Sequence, residues 1–156
     1  MITARPGSHT HQLLQLLSTA GEIPTSALSL LGNDRVYSAL VHKLESVQNI
    51  RFEKDGPVYQ VKLIQVSGKK GERTIRLYRK GLVILDELHK GLFDWYMSVF
   101  KDHHFSNDQF HVERNHRVAE AVALCMATGV ETRPYMLPTL QKKDIIEMAA
   151  TMKTFR

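Results

Sequence analysis

The chain contains 156 residues, of which 43% are hydrophobic and 24% charged, with a single cysteine and a formal net charge of +5 at pH 7. This length suits one domain, or a small domain with an appendage, and the hydrophobic fraction excludes a disordered chain. No run of roughly 18 or more apolar residues is present, and the first residues lack the pattern of a signal peptide. The absence of a long apolar run predicts no membrane association. Because Cys125 has no second cysteine to pair with, we expect a reducing, cytoplasmic location.

The positive charge is concentrated in one part of the chain. Residues 1–90 contain 13 Lys and Arg against 8 Asp and Glu, whereas residues 91–156 contain 8 of each. Within residues 35–80 there are 11 basic and 4 acidic side chains, a net charge of +7. A localised basic excess is typical of surfaces that bind polyanions, most often nucleic acid, although solvated basic faces of other proteins have it too.

Two short helices are predicted near the start of the chain. Apolar residues recur at helical spacing within 10–20, and Gly21 is a typical helix end. An extended link that ends at Pro24 follows, because the residue before a proline avoids the helical conformation. The second helix is predicted at 25–31, and a turn after it leads into the next element.

A third helix is predicted from Asp34, which can cap it, to about Val47. Its apolar residues occupy one broad side, and the opposite side is small, polar and basic. The apolar side consists of Val36, Tyr37, Leu40, Val41, Leu44 and Val47. The polar side consists of Arg35, Ser38, Ala39, His42, Lys43 and Ser46. Taken alone, this pattern fits a solvated amphipathic helix as well as a surface for an anionic partner.

A β-hairpin with a basic tip is predicted next. Residues 58–66 and 73–79 are rich in β-branched and aromatic residues and partly alternate, which indicates two strands. The loop between them, 67–72, contains two glycines and carries Lys69 and Lys70. Further positive charge lies along the two strands, at Lys62, Arg73, Arg76 and Arg79.

This order of three helices and a basic hairpin resembles that of winged helix domains, over about residues 9–90. The residues that carry the resemblance are 34–46, as the third helix, and 67–72, as the tip of the wing. The resemblance implies an α+β, mainly helical chain with an N-terminal winged helix domain. It also implies double-stranded DNA as the partner, with the third helix in the major groove and the hairpin along the backbone or an adjacent minor groove.

The candidate DNA-binding residues have distinct expected roles. Arg35 is suited to bidentate contact with guanine, and Ser38 and His42 can donate or accept hydrogen bonds at base edges or phosphates. The lysines and arginines of the hairpin are expected to neutralise phosphates, which increases affinity without reading sequence. The complete predicted set is Arg35, Ser38, His42, Lys43, Lys62, Lys69, Lys70, Arg73 and Arg76.

The second part of the chain, 91–156, is predicted to be a helical extension that serves packing, a homodimer or a protein partner. Residues 81–101 are predicted to form one helix or two, with Gly91 as the expected break or as a point of close packing. A long helix, capped by Asn107 or Asp108, is expected to extend to Thr128 and to end at Gly129. A final amphipathic helix is predicted at 142–154. The expected buried stripe of the long helix consists of Phe110, Val118, Ala121, Val122 and Cys125.

The run at 115–119, Asn-His-Arg-Val-Ala, resembles part of the replication-relaxation family of plasmids and integrative mobile elements. That resemblance extends over roughly residues 9–135 and implies a role in the replication of such an element, its transfer or its transcriptional control. Members of the family usually continue into a further, mostly β region, whereas this chain has only the extended segment 131–140 and the final helix.

The sequence does not favour an enzyme. It contains neither a glycine-rich nucleotide-binding loop nor a nucleophile elbow, so no catalytic residue and no cofactor are predicted. His111 and His116 would point about 140° apart on a helix, unlike the paired histidines of a zinc-binding helix, so no metal is predicted. A metal-dependent nuclease and a winged helix adaptor that binds protein instead of DNA are the alternatives.

Overall fold

The computed structural model describes residues 2–69, 73–100, 105 and 108–130. Within them the protein is α+β and mainly helical, which confirms the coarse prediction. The predicted final helix and the residues before it lie outside the described residues, as does Lys70. In chain order the elements are β1 (Ile2–Thr3), α1 (His9–Ala20), β2 (Glu22–Pro24), α2 (Ala27–Leu31), α3 (Asp34–Leu44), β3 (Gln48–Arg51), β4 (Tyr59–Val61), β5 (Ile64–Ser67), β6 (Thr74–Leu77), a 3₁₀ turn (Arg79–Gly81), α4 (Leu82–Leu88), α5 (Lys90–Val99) and α6 (Gln109–Ala127).

The first helix ends as its sequence predicts, but the segment after it is more than a link. Gly21 has a φ of 74°, a left-handed conformation that glycine adopts without a steric penalty, and its N–H donates to the carbonyl of Leu17. The next three residues form β2, which pairs antiparallel with β6 in the order β2–β6–β5. In that register Glu22 lies opposite Arg76, and Ile23 lies opposite Ile75.

The predicted first strand of the hairpin is in fact two strands in two sheets. β4 pairs with β3, which also pairs with β1, whereas β5 pairs with β6. The chain changes sheets at Leu63, which is fully buried. Its N–H donates to the carbonyl of Leu44 at 3.2 Å, and its own carbonyl accepts from Tyr78 at 2.7 Å. These bonds to helix α3 and to the end of β6 divide the run that the sequence presents as continuous.

Helix α3 differs from its prediction at both ends. The cap is Asn33, whose side chain accepts a hydrogen bond from the N–H of Arg35, and Asp34 is the first helical residue. The helix ends at Leu44, so Val47 lies beyond it and is 61% exposed. Val36 is also exposed, at 42%, and the buried side is therefore narrower than predicted.

Helix α1 lies at the centre of the molecule. All four of its leucines are fully buried, on more than one side of the helix: Leu13, Leu14, Leu16 and Leu17. The cluster of core residues that contains them also includes Leu92 and Tyr96 of α5 and Ala119 and Ala123 of α6. Elements on both sides of residue 90 therefore share one core, and the predicted boundary between a first and a second domain stays a prediction.

The break in the helical region after the hairpin falls two residues earlier than expected. His89, with φ −161° and ψ 95°, separates α4 from α5, and its Nδ1 accepts a hydrogen bond from the N–H of Leu92. Gly91 lies inside the first turn of α5. The break therefore lies at His89, whose ring caps the start of α5, and not at Gly91, where the sequence predicts it.

Helix α6 buries a different side from the predicted one. Ala119 and Ala123 are fully buried where the helix packs against α1, α2 and β2. Phe110 and Val118 are 65% and 43% exposed, and Ala121 is exposed too, so three of the five stripe residues were wrong. The other two, Val122 and Cys125, are half-buried. Hydropathy gave the wrong side because the helix docks through small and polar residues.

Candidate nucleic-acid interface

The outward side of α3 presents the predicted polar residues to solvent. Arg35, Ser38, His42 and Lys43 are all exposed. The Ser38 hydroxyl donates to Asp34 at 3.3 Å. The side chains of Arg35, His42 and Lys43 project from the same polar side, so a cationic and hydrogen-bonding surface runs along the helix.

A shallow groove separates this surface from the start of helix α1. Its volume is about 380 Å³, and it is lined by Ser8, His9 and Thr10 on one side and by Val36, Ala39, Leu40 and Lys43 on the other. The small side chain of Ala39 keeps the α3 wall low. The groove places Lys43 beside the polar residues of the α1 start, and its lining contains no carboxylate.

The described residues on both sides of the hairpin tip are exposed and include basic side chains. Lys69 and Arg73 are exposed on either side of the turn, and Gly68 has a φ of 98°, in the left-handed region. The carbonyl of Arg73 accepts a hydrogen bond from the N–H of Thr25 at 3.1 Å. This bond holds the base of the tip against the segment that leads into α2, and so fixes the hairpin relative to the helices.

Lys62 is separate from both of these surfaces. It follows β4, and its ammonium lies 5.3 Å from the centroid of the Tyr78 ring. Both residues line another groove, between the β3–β4 hairpin and the start of α4. The structure therefore does not bring Lys62 together with the polar side of α3.

Arg76 is engaged inside the protein. Its guanidinium forms an ion pair with Glu22, the residue opposite it in the sheet, and also lies 5.0 Å from the centroid of the Phe105 ring. The side chains of Arg76 and Glu22 are 16% and 1% exposed. The side-chain amide of Asn115 donates to the other Glu22 oxygen at 3.0 Å. Because Arg76 is held by these partners, it has little access to an external phosphate.

The polar run at 115–119 has a structural role on the buried side of α6. Asn115 contacts Glu22, and the Nε2 of His116 lies 3.1 Å from the Thr74 hydroxyl. One turn further on, Glu120 accepts a hydrogen bond from Ser26 at 3.4 Å. These contacts attach α6 to the sheet and to the start of α2. Sequence reasoning missed them, since no local pattern connects residues that lie so far apart along the chain.

We expect the protein to lose stability as the pH falls from about 7.5 to about 5. Burial lowers the pKa of His116, while nearby carboxylates, Glu22 first, oppose this shift and Arg76 adds to it. The unfolded chain therefore takes up a proton at a higher pH than the folded chain, so the stability that neutral His116 contributes above about pH 6.5 declines below it. Urea unfolding at both pH values should show a smaller decline for His116→Gln than for the wild type. An equal decline in both would contradict this role.

Among the described residues, no group of three or more His, Cys, Asp or Glu side chains is placed to hold a metal ion. His111 lies 2.6 Å from Asp108 at the start of α6, and His116 faces the sheet. Two further histidines close in sequence, His103 and His104, lie outside the described residues. In the part of the chain that the structure describes, no helix is both long and apolar enough to cross a membrane.

No protein family model, curated protein or solved structure matches this chain. A proposal about its function therefore depends on the geometry and charge of its own residues.

Proposed function

We propose that the chain is a cytoplasmic winged helix protein that binds double-stranded DNA. The observation that carries the proposal is the combination of the exposed polar and cationic side of α3 with the exposed basic residues Lys69 and Arg73 between β5 and β6. A winged helix domain has this order of elements, in which a strand between the first two helices completes the sheet of the wing. The pairing of β2 with β6 supports this order, and the β3–β4 hairpin between α3 and β5 is an addition to it.

In the proposed complex, α3 lies in the major groove. Arg35, Ser38 and His42 face base edges, where their donors and acceptors can distinguish base pairs. Lys43 and the hairpin residues Lys69, Lys70 and Arg73 contact phosphates. Arg76 and Lys62 are left out, because the first is paired with Glu22 and the second lies over Tyr78.

The biological setting that we propose is based only on the sequence resemblance of residues 115–119 to replication-relaxation proteins, since no family model matches the chain. We propose that the DNA belongs to a mobile element, and that the protein acts in its replication, transfer or transcriptional control. The C-terminal helices are the proposed surface for a homodimer or a protein partner, since α6 exposes Phe110, Val118 and Leu124.

The adaptor alternative has one observation in its favour. Val36 is an exposed apolar residue on α3, and a protein-binding face would expose more residues of this kind. Among the remaining exposed positions of α3, Ala39 is small, and Arg35, Ser38, His42 and Lys43 are polar or basic. The charge of these exposed α3 residues favours DNA over a protein as the partner.

Removal of the charge at the hairpin tip tests the proposal. We expect the triple variant Lys69→Ala, Lys70→Ala, Arg73→Ala to bind every duplex roughly 10- to 100-fold more weakly at low salt. The slope of log affinity against log salt concentration should become smaller by roughly two to three, because fewer counterions are released. Fluorescence anisotropy with a labelled duplex at several salt concentrations measures both quantities.

The matched control changes the net charge by the same amount elsewhere. Lys90, Arg114 and Arg117 are exposed on α5 and α6, and replacing all three by alanine should leave duplex binding within about threefold of the wild type. The proposal is wrong if the unaltered protein shows no salt-sensitive duplex binding. If the control variant lost duplex binding to the same extent, net charge alone would explain the effect. That result would contradict a site at the hairpin.

A further inference from the structure

A second groove lies between the β3–β4 hairpin and the start of α4. Its volume is about 440 Å³, which is in the range of small-molecule sites. It shares no lining residue with the groove between α1 and α3. Its main side chains are Val47, Tyr59, Lys62, Tyr78, Lys80 and Val83.

The walls of this groove are aromatic and apolar. Tyr59 and Tyr78 are half-buried, and beside them Val47 and Val83 are 61% and 57% exposed. The Tyr59 ring packs edge-to-face on Phe52, with a centroid distance of 5.8 Å. The backbone N–H of Tyr78 is bonded to the carbonyl of Leu63. The Tyr59 ring is thus held by Phe52 and the Tyr78 backbone by Leu63, and both rings lie next to exposed apolar surface, which provides a platform for a flat, unsaturated ligand.

The same groove carries two ammonium groups and no lining carboxylate. Lys62 lies over the Tyr78 ring, and Lys80 is exposed on the 3₁₀ turn. Glu87 lies beyond the lining, near the Tyr59 hydroxyl. Burial and this carboxylate raise the pKa of Tyr59, so the phenol keeps its proton at neutral pH and adds no negative charge. With two ammonium groups in its lining and one carboxylate beside it, the groove has a net positive charge and favours an anionic ligand over a cationic one.

We propose that this groove binds an unpaired nucleotide, with its base against the Tyr59 and Tyr78 rings and its phosphate at Lys62 and Lys80. Aromatic side chains next to lysines are the usual means by which proteins hold unpaired bases without reading their sequence. The site does not depend on duplex binding by α3, since none of its residues belongs to that surface. A free nucleotide and an unpaired nucleotide of a strand share this chemistry.

Titration of a labelled thymidine oligonucleotide of about eight residues tests the site, with thymidine monophosphate as competitor. We expect Tyr78→Ala to weaken oligonucleotide binding roughly 5- to 100-fold, the range measured when a stacking ring is removed. Lys80→Ala and Val83→Glu change exposed residues that folding does not require, and each should weaken binding by at least about threefold. Inhibition at micromolar monophosphate assigns the site to free nucleotides, and inhibition only at far higher concentrations assigns it to strands; either result supports the groove.

Three results would overturn the proposal. These are the absence of binding to either probe at low salt, unchanged affinity in both Lys80→Ala and Val83→Glu, and equal loss of oligonucleotide binding in Arg35→Ala, which would place the strand on α3. Duplex binding should be unaffected by Val83→Glu. A failure of this site is therefore distinguishable from a failure of the proposed duplex interface.

Discussion

Replacing Arg76 by alanine is expected to lower the free energy of unfolding by about 3–5 kcal/mol, the usual cost of removing one partner from a buried ion pair. Glu22 is fully buried, and its partners within the described residues are Arg76 and Asn115. Without the guanidinium, the carboxylate would remain in the interior with a single amide donor, or would have to take up a proton. Urea unfolding at neutral pH, followed by circular dichroism, measures the change.

Two further variants separate the buried pair from a general effect of lost charge. Arg73→Ala removes an exposed arginine three positions earlier and should change stability by no more than about 0.5 kcal/mol. The double variant Glu22→Gln, Arg76→Met removes both charges and should recover a large part of the loss, because no unpaired charge is left behind. A double variant less stable than Arg76→Ala alone would contradict the explanation.

Replacing Ala119 by aspartate is expected to destabilise the protein by about 3 kcal/mol or more. Ala119 is fully buried where α6 packs against α1, α2 and β2, so the substitution places an unpaired carboxylate in that interface. Ala121→Asp is the matched control, since it makes the same change on the same helix at an exposed position. It should cost no more than about 1 kcal/mol, mostly through helix propensity. Similar losses in the two variants would mean that α6 does not dock through its Ala119 side.

The part of the candidate interface that was predictable is the part governed by helix periodicity. The alternation of apolar and basic residues in α3 indicates which residues face solvent, and Arg35, Ser38, His42 and Lys43 are all exposed. The prediction of the buried side of α3 was less accurate at the ends of the helix. Val47 lies outside α3, because the helix ends at Leu44. The carbonyl of Leu44 accepts a hydrogen bond from the N–H of Leu63, the residue before β5.

The strand residues were harder to predict. Side chains alternate across a sheet, so the sequence separates Ile75 and Leu77 from Thr74 and Arg76. The sequence does not show whether Thr74 and Arg76 face water or another layer of the structure. Here α6 covers that face, with His116 against Thr74 and Asn115 beside the Arg76 partner Glu22. Arg76, which the sequence predicts to contact a phosphate, is therefore part of an internal ion pair.

By itself, the sequence determined the mainly helical α+β class, the end of α1 at Gly21, the polar side of α3 and the basic character of the hairpin tip. These features depend on residues close together in the chain, through helical spacing, glycine conformation and local charge. Only the tertiary structure decided the pairing of Glu22 with Arg76, the division of the first hairpin strand between two sheets and the docking side of α6. Those features depend on contacts between distant segments, where alanine and polar side chains form the interface and hydropathy carries little information.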